Sequence, residues 1–154
     1  IYTGEIMNWR EVGGRDRPIV LLSRESNSGT YVYFLENVVR VGSGDGEALF
    51  SPGTLLMPSS EGITAEVTHN PNAIGYDGLG YVTAEQKVVA VSEDPEGPFV
   101  LPSVETVNDG SYPVARPLYM YTAGEPAGLI ATYLTWIRGE GQGLVSELGF
   151  VPLQ

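Results

Sequence analysis

The chain has 154 residues, enough for one domain with a real core or for one lobe and part of another. Eight basic residues against nineteen acidic ones give a formal charge of −11, which argues against nonspecific binding to nucleic acid or to an acidic membrane surface. No Cys is present, so a disulfide framework, a thiolate nucleophile and a thiolate metal site are all excluded.

Apolar residues make up 42% and aromatic residues 10%, which favours a folded chain over a disordered one. The acid is unevenly placed. Residues 1–40 hold five basic side chains (Arg10, Arg15, Arg17, Arg24, Arg40) and five acidic ones, so nearly all the excess lies beyond them. No run of about 20 apolar residues suggests a span across a bilayer. The chain starts at Ile1 without Met, which leads us to expect a processed or excised piece whose targeting signal lies elsewhere.

In chain order, Gly4 to Trp9 suggests a short helix or turn ended by the Gly13-Gly14 pair, with Trp9 as a packing residue. Pro18 restricts the residue before it to extended geometry. The apolar run that follows reads as a strand, Ile19 to Ser23, covered on both faces. Then comes a polar turn from Arg24 to Asn27, and a helix that opens at Ser28, Gly29 and Thr30 and runs to about Val41. Tyr31, Phe34, Leu35 and Val38 share one face of it at three- and four-residue spacing, as core residues do.

This strand-turn-helix is the chain's best candidate for chemistry. A helix start leaves backbone N–H groups without partners, and the aligned peptide dipoles favour an anion there. Ser28 and Thr30 add hydroxyl donors, Gly29 allows close approach, and Arg24 brings a guanidinium fork suited to tetrahedral oxyanions. The same letters also fit a plain helix cap beside a surface arginine. The turn matches neither GxxxxGK[ST] nor GxGxxG, so it is no nucleotide loop of those kinds.

Pro52 to Pro58 suggests irregular structure, and Ser59 to Asn70 a second helix stopped by Pro71. His69, the single histidine, reads as structural or surface. Ala73 to Val82 is rich in glycine and aromatics and suggests a strand or bend in which Gly75, Gly78 and Gly80 permit close packing. Asp77 lies in its middle, and its carboxyl needs a donor, which Arg24 or a backbone group could supply. Further on we expect a strand over Lys87 to Ser92, a short helix from Ser103 to Asn108, and a strand over Leu118 to Tyr121. Two helices complete the chain, Ala127 to Arg138 with an apolar face of Leu129, Ile130, Tyr133, Leu134 and Ile137, and Leu144 to Leu148. The mixture of short strands and helices is α/β.

Five ordered segments then carry a family resemblance: IYTGEIMNWREVGG, SRESNSGT, NPNAIGYDGLGYV, PSVETVNDGSYPVARPLYMYT and EGQGLVSELGFVPL. Together they resemble the periplasmic phosphate-binding proteins, the substrate-binding components of ABC phosphate uptake systems, over Ile1 to Leu153. The resemblance implies a type II periplasmic-binding-protein lobe with a mixed sheet flanked by helices, incomplete without the N-terminal part of the first lobe. It implies that residues 1–111 form the second lobe and that residues 112–154 cross back to the first. In the family, donors from both lobes close on phosphate, and the matching positions here are Arg24, Ser28, Gly29 and Thr30. The family's early donor loop, its second serine helix start and its proton-accepting carboxylate have no match, and Asp77 is not given that duty.

Further implications of the resemblance are binding of inorganic phosphate without chemistry, no cofactor, no metal and delivery to an ABC permease. They include a periplasmic or extracellular place, with any lipid anchor on preceding sequence, and a missing lobe segment supplied by another chain or by a second copy. The alternatives are an anion-sensing or structural module that reuses the lobe, or a phosphate-ester hydrolase with Ser28 as nucleophile.

Overall fold

The computed structural model describes residues 1–153. The chain forms two compact units, Ile1–Lys87 and the residues from Val88 onward.

The first unit is built around β1 (Val20–Arg24), the central strand of a three-stranded sheet with order β2-β1-β3. Its partners are β2 (Leu55–Met57) and β3 (Ala73–Ile74), both parallel to it. Antiparallel pairing among the described residues is confined to two isolated bridges, Asn8 with Pro18 and Val91 with Val100. The expected strand at Ile19 is therefore shifted by one residue, since Ile19 N–H is taken by Met7 O at 2.8 Å rather than by a ladder partner. Leu21, Leu22 and Ser23 are buried, as a central parallel strand demands.

Downstream of β1, α1 (Gly29–Phe34) continues without a break through a π-helical stretch, Leu35–Arg40, into a last turn, α2 (Val41–Ser43), ended by Gly44 in the left-handed conformation. The wider π turns shift the buried phase, so Leu35 and Val39 are the buried positions and Val38 is half-covered.

The Pro52 to Pro58 segment is not wholly irregular, because it contains β2. Leu55 and Leu56 are both 51% exposed, so no buried-exposed alternation marked this edge strand in the sequence. What makes it a strand is pairing with β1, in the register Leu22 to Leu55 and Arg24 to Met57. Next, α3 (Ser60–His69) is capped by Ser59, whose hydroxyl accepts from Gly62 N–H at 3.1 Å, and Ile63 drives into the core. His69 is exposed, with Nδ1 2.8 Å from Ala65 O one turn back, which makes it a surface residue held against its own helix.

At the end of β3 the layers meet closely. A Cβ placed on Gly75 would stand 2.7 Å from Cγ2 of buried Ile63 and 3.5 Å from Leu22 Cβ, so this position needs glycine for space. Trp9 packs as expected and donates its indole N–H to Asn72 O at 2.9 Å, fixing the N-terminal turn to the start of β3. An aromatic cluster of Tyr2, Tyr31, Phe34, Phe50 and Tyr76 adds a second apolar nucleus. Within it Phe34 and Tyr76 stack at 3.7 Å, and Tyr2 meets both edge-on.

The second unit is helical among its described residues. It contains α4 (Val104–Asn108), α5 (Gly128–Arg138) and α6 (Gln142–Glu147). The short helix expected from Ser103 forms, and Ser103 and Thr106 make a capping box at its start. Gln142 ties the end of the chain: its Nε2 donates to Ile137 O at 2.6 Å and its Oε1 accepts from Leu153 N–H at 2.7 Å.

Two expected strands here do not form. Among the described residues, Lys87 to Ser92 makes only the reciprocal Val91–Val100 pair, and Leu118 to Tyr121 has no ladder partner. An apolar run becomes a strand only where a neighbour takes its N–H and C=O groups. The apolar face of α5 forms as predicted yet stays open, with Leu129 at 88% and Ile130 at 57% exposure.

Candidate functional site

Three parallel strands deliver their C-terminal ends to one edge of the sheet, the place where open α/β sheets bind ligands. β1 ends in Arg24, β2 runs through Pro58 into the start of α3, and the chain beyond β3 continues through Tyr76 and Asp77. Val20 pairs with Ala73 and Leu21 with Ile74, so extending that register sets Tyr76 beside Ser23 and Asp77 beside Arg24. The Ser23–Tyr76 hydroxyl contact at 2.5 Å agrees with this. Burial pushes the Tyr76 phenol up to about 12, against a smaller opposing pull from its bond to Ser23.

Arg24 is held by its neighbours. Its Nη1 donates to Ser60 Oγ at 2.8 Å and its Nη2 to Pro58 O at 3.3 Å. Ser60 in turn donates to Asp77 Oδ1 at 2.9 Å, and Gly78 N–H donates to the same oxygen at 2.8 Å. Arg24 thus reaches Asp77 through Ser60, and Asp77 draws on a backbone group as well. Arg24 Nε and Asp77 Oδ2 are buried without a partner. Exposed Glu61, in the first turn of α3, completes the surroundings. Its carboxyl is held below the usual range by a backbone amide first, then by the Ser59 hydroxyl, with a smaller contribution from the Arg24 charge.

At the helix start the cap and the donors coexist. Ser28 Oγ accepts from Thr30 N–H at 3.2 Å, and Ser28 N–H donates to Glu25 O at 2.9 Å. Two of the amides are therefore satisfied internally. The N–H groups of Gly29 and Tyr31 and the hydroxyl of Thr30 make no hydrogen bond to the described residues, and Gly29 is exposed. The proton on the Ser28 hydroxyl remains a donor while its lone pair caps the helix.

Arg24, Ser28, Gly29 and Thr30 therefore lie along one strand-turn-helix, with Arg24 at the strand end and the other three at the helix start. Sequence reasoning did not single out Ser60, because only the parallel register joins a residue 36 positions away to Arg24. A surface depression of about 410 Å³ elsewhere on this unit is lined by Glu61, Thr64, His69, Tyr81 and Glu85. Its two carboxylates make it a poor cradle for an anion.

Among the described residues no cluster of His, Asp and Glu could hold a metal ion, and no helix is long and apolar enough to cross a membrane.

Comparison with known proteins places this geometry in a family. The PBP superfamily domain matches residues 1–140. The phosphate-binding protein PstS of Bacillus subtilis is 32% identical over 99% of the chain, and that of Staphylococcus aureus is 34% identical over 98%. A crystal structure of a phosphate ABC transporter substrate-binding protein with bound phosphate, from Clostridium perfringens, superposes on all of this chain and 60% of its own, with a TM-score of 0.78 at 33% identity. The chain spans about half the length of the curated relatives it matches, 48% for the Bacillus protein and 46% for the Staphylococcus one. With its parallel sheet, its residue match and its structural likeness in agreement, the chain belongs to the PBP superfamily.

Proposed function

We propose that this chain supplies one wall of an inorganic phosphate site in a solute-binding protein that delivers phosphate to an ABC permease outside the cytoplasmic membrane. The observation that carries the reading is Arg24 at the end of the central strand, followed four residues later by a helix start where the Gly29 and Tyr31 N–H groups and the Thr30 hydroxyl make no bond to the described residues. Relatives that match nearly the whole chain are named phosphate-binding proteins, which favours phosphate among the oxyanions.

Binding here needs no bond making or breaking and no cofactor. Arg24 offers charge-assisted bonds to phosphate oxygens, and Ser28, Gly29 and Thr30 add hydroxyl and amide donors. Because removing an oxyanion from water is costly until most of its hydration is replaced, the opposite wall must come from a second lobe. In that arrangement residues 1–111 form one lobe and residues 112–154 return to the other, whose remainder is supplied by another segment or chain. The open apolar side chains Leu118 to Tyr121 and the α5 face are then the surface that the rest of that lobe covers.

Calorimetric titration with inorganic phosphate, and sulfate as the comparison anion, tests the assignment. In the full-length protein, with both lobes present, Arg24→Ala is expected to weaken phosphate binding at least tenfold, about 1.4 kcal/mol. An unchanged dissociation constant would remove Arg24 from the site.

A further inference from the structure

We propose that Asp77 is a positioning residue for Arg24, acting through Ser60, so that the aim of the anion-binding guanidinium is set from the segment after β3. The inference rests on the phosphate reading above for its consequence, but the coupling itself stands on the hydrogen-bond geometry.

Polarity along the chain of bonds has only one possible direction. A guanidinium has five N–H donors and no acceptor, so Arg24 can only give to Ser60. The serine hydroxyl has one proton, and with its lone pair facing Arg24 that proton points to Asp77 Oδ1. Asp77 is in turn fixed by a second donor, Gly78 N–H, on the same oxygen. Ser60 is 5% exposed and sits in the first turn of α3, so it has little freedom to turn. If Asp77 lost its acceptor, the hydroxyl proton would be free to swing, and the lone pair that receives Arg24 Nη1 would no longer be held in place.

The remaining donors show what the bracing achieves. Of the five N–H groups of Arg24, one on Nη1 goes to Ser60 and one on Nη2 goes to Pro58 O. Nε is buried without a partner. One hydrogen on each terminal nitrogen is left over for charge-assisted bonds to the oxygens of a tetrahedral anion. Arg24 is thus held by half of its terminal hydrogens while the other half stays free. A long side chain immobilised before the ligand arrives has less entropy to lose on binding, which is how a residue that never touches the ligand can change affinity.

NMR on the protein reads both halves of the inference. The Arg24 Nε–H resonance, in a buried and solvent-shielded position, is expected to be visible in the native protein and lost by exchange in Ser60→Ala and Asp77→Ala. Asp77→Asn keeps an oxygen acceptor for the Ser60 hydroxyl and is expected to retain the resonance.

Titration of the full-length, two-lobed protein with inorganic phosphate should show about tenfold weaker binding in each alanine variant. The double variant Ser60→Ala/Asp77→Ala should be no worse than about tenfold, because residues acting through one another do not add. Binding by Asp77→Asn is expected within about threefold of native. Losses that multiply to about a hundredfold in the double variant, or an Asp77→Ala protein with native resonance and native affinity, would overturn the coupling. If the native protein shows no phosphate-dependent shift, the phosphate reading fails, and the resonance series still decides whether Asp77 holds Arg24. Thermal unfolding of each variant separates a lost brace from a lost fold, since Asp77→Asn and Asp77→Ala are then compared at matched stability.

Discussion

The two units of the chain use similar apolar sequence to opposite ends. In the first, β1 finds a parallel partner on each side, and Leu21, Leu22 and Ser23 are buried. In the second, the apolar stretch Leu118 to Tyr121 finds no strand partner among the described residues, and its four side chains are 56 to 88% exposed. Hydrophobic residues are thus only candidates for a core. A ladder of backbone hydrogen bonds, or a helix laid against one, decides whether they become one. The same ladder places the polar residues, because the side chains of Arg24, Ser60 and Asp77 come together through the ends of paired strands.

Truncation of one side chain in each unit tests the contrast most strongly. Leu22→Ala removes a fully buried side chain from the central strand and is expected to cost about 2–5 kcal/mol. Leu129→Ala in the open face of α5 should stay within about 0.5 kcal/mol. Chemical denaturation monitored by circular dichroism measures both, and similar losses at the two positions would erase the distinction.

A smaller effect sharpens the account of close packing in the first unit. Gly75→Ala would drive a methyl into Ile63, and we expect a loss of about 1–3 kcal/mol. Gly143→Ala in α6, where a Cβ meets no neighbour within 4 Å, is expected to be neutral or stabilising. Paired melting curves of the two variants give the comparison directly.

The mildest test uses alkaline pH. Burial raises the Tyr2 phenol well above its ordinary value of 10.0, with a lesser contribution from neighbouring Tyr76, and raises Tyr76 to about 12. Between pH 10 and 12 the folded chain therefore holds protons that the unfolded chain has released. Stability from these groups is complete below pH 10 and declines as pH rises towards 12. The melting temperature should fall across that window, and Tyr2→Phe should make the fall shallower. An equally steep fall in Tyr2→Phe would assign the alkaline transition to other groups.

Local chemistry was legible in the sequence where one segment carries its own signals. The run Val20 to Ser23 followed by Ser28-Gly29-Thr30 gave a strand, a turn and a cap, because burial of a continuous apolar run and the N-cap bond are local facts. Ser59 and Ser103 announced their helices in the same way. β2 was hidden because half-exposed Leu55 and Leu56 show no period of two, and its pairing is decided by β1 more than thirty positions earlier. Asp77 was flagged as needing a donor, and the structure supplies two, Ser60 and its own neighbour Gly78. The intermediary Ser60 was invisible because Ser59-Ser60 reads simply as a helix beginning, and nothing local says which hydroxyl turns inward. The opposite error arose at Leu118 to Tyr121, where composition fits a strand but no partner follows.

The π-helical stretch from Leu35 to Arg40 has a consequence for anyone altering this helix. Backbone bonds there reach one residue farther back than in an ordinary helix, so the stretch accommodates a surplus residue without breaking the cylinder. Upstream, Tyr31 and Phe34 pack among the aromatic rings; at the last residue of the stretch, Arg40 Nε donates to Ala48 O at 3.3 Å. The stretch works as a phase adjuster between these two attachments, and excising one residue from it would rotate one grip away from its target while the other stayed in place.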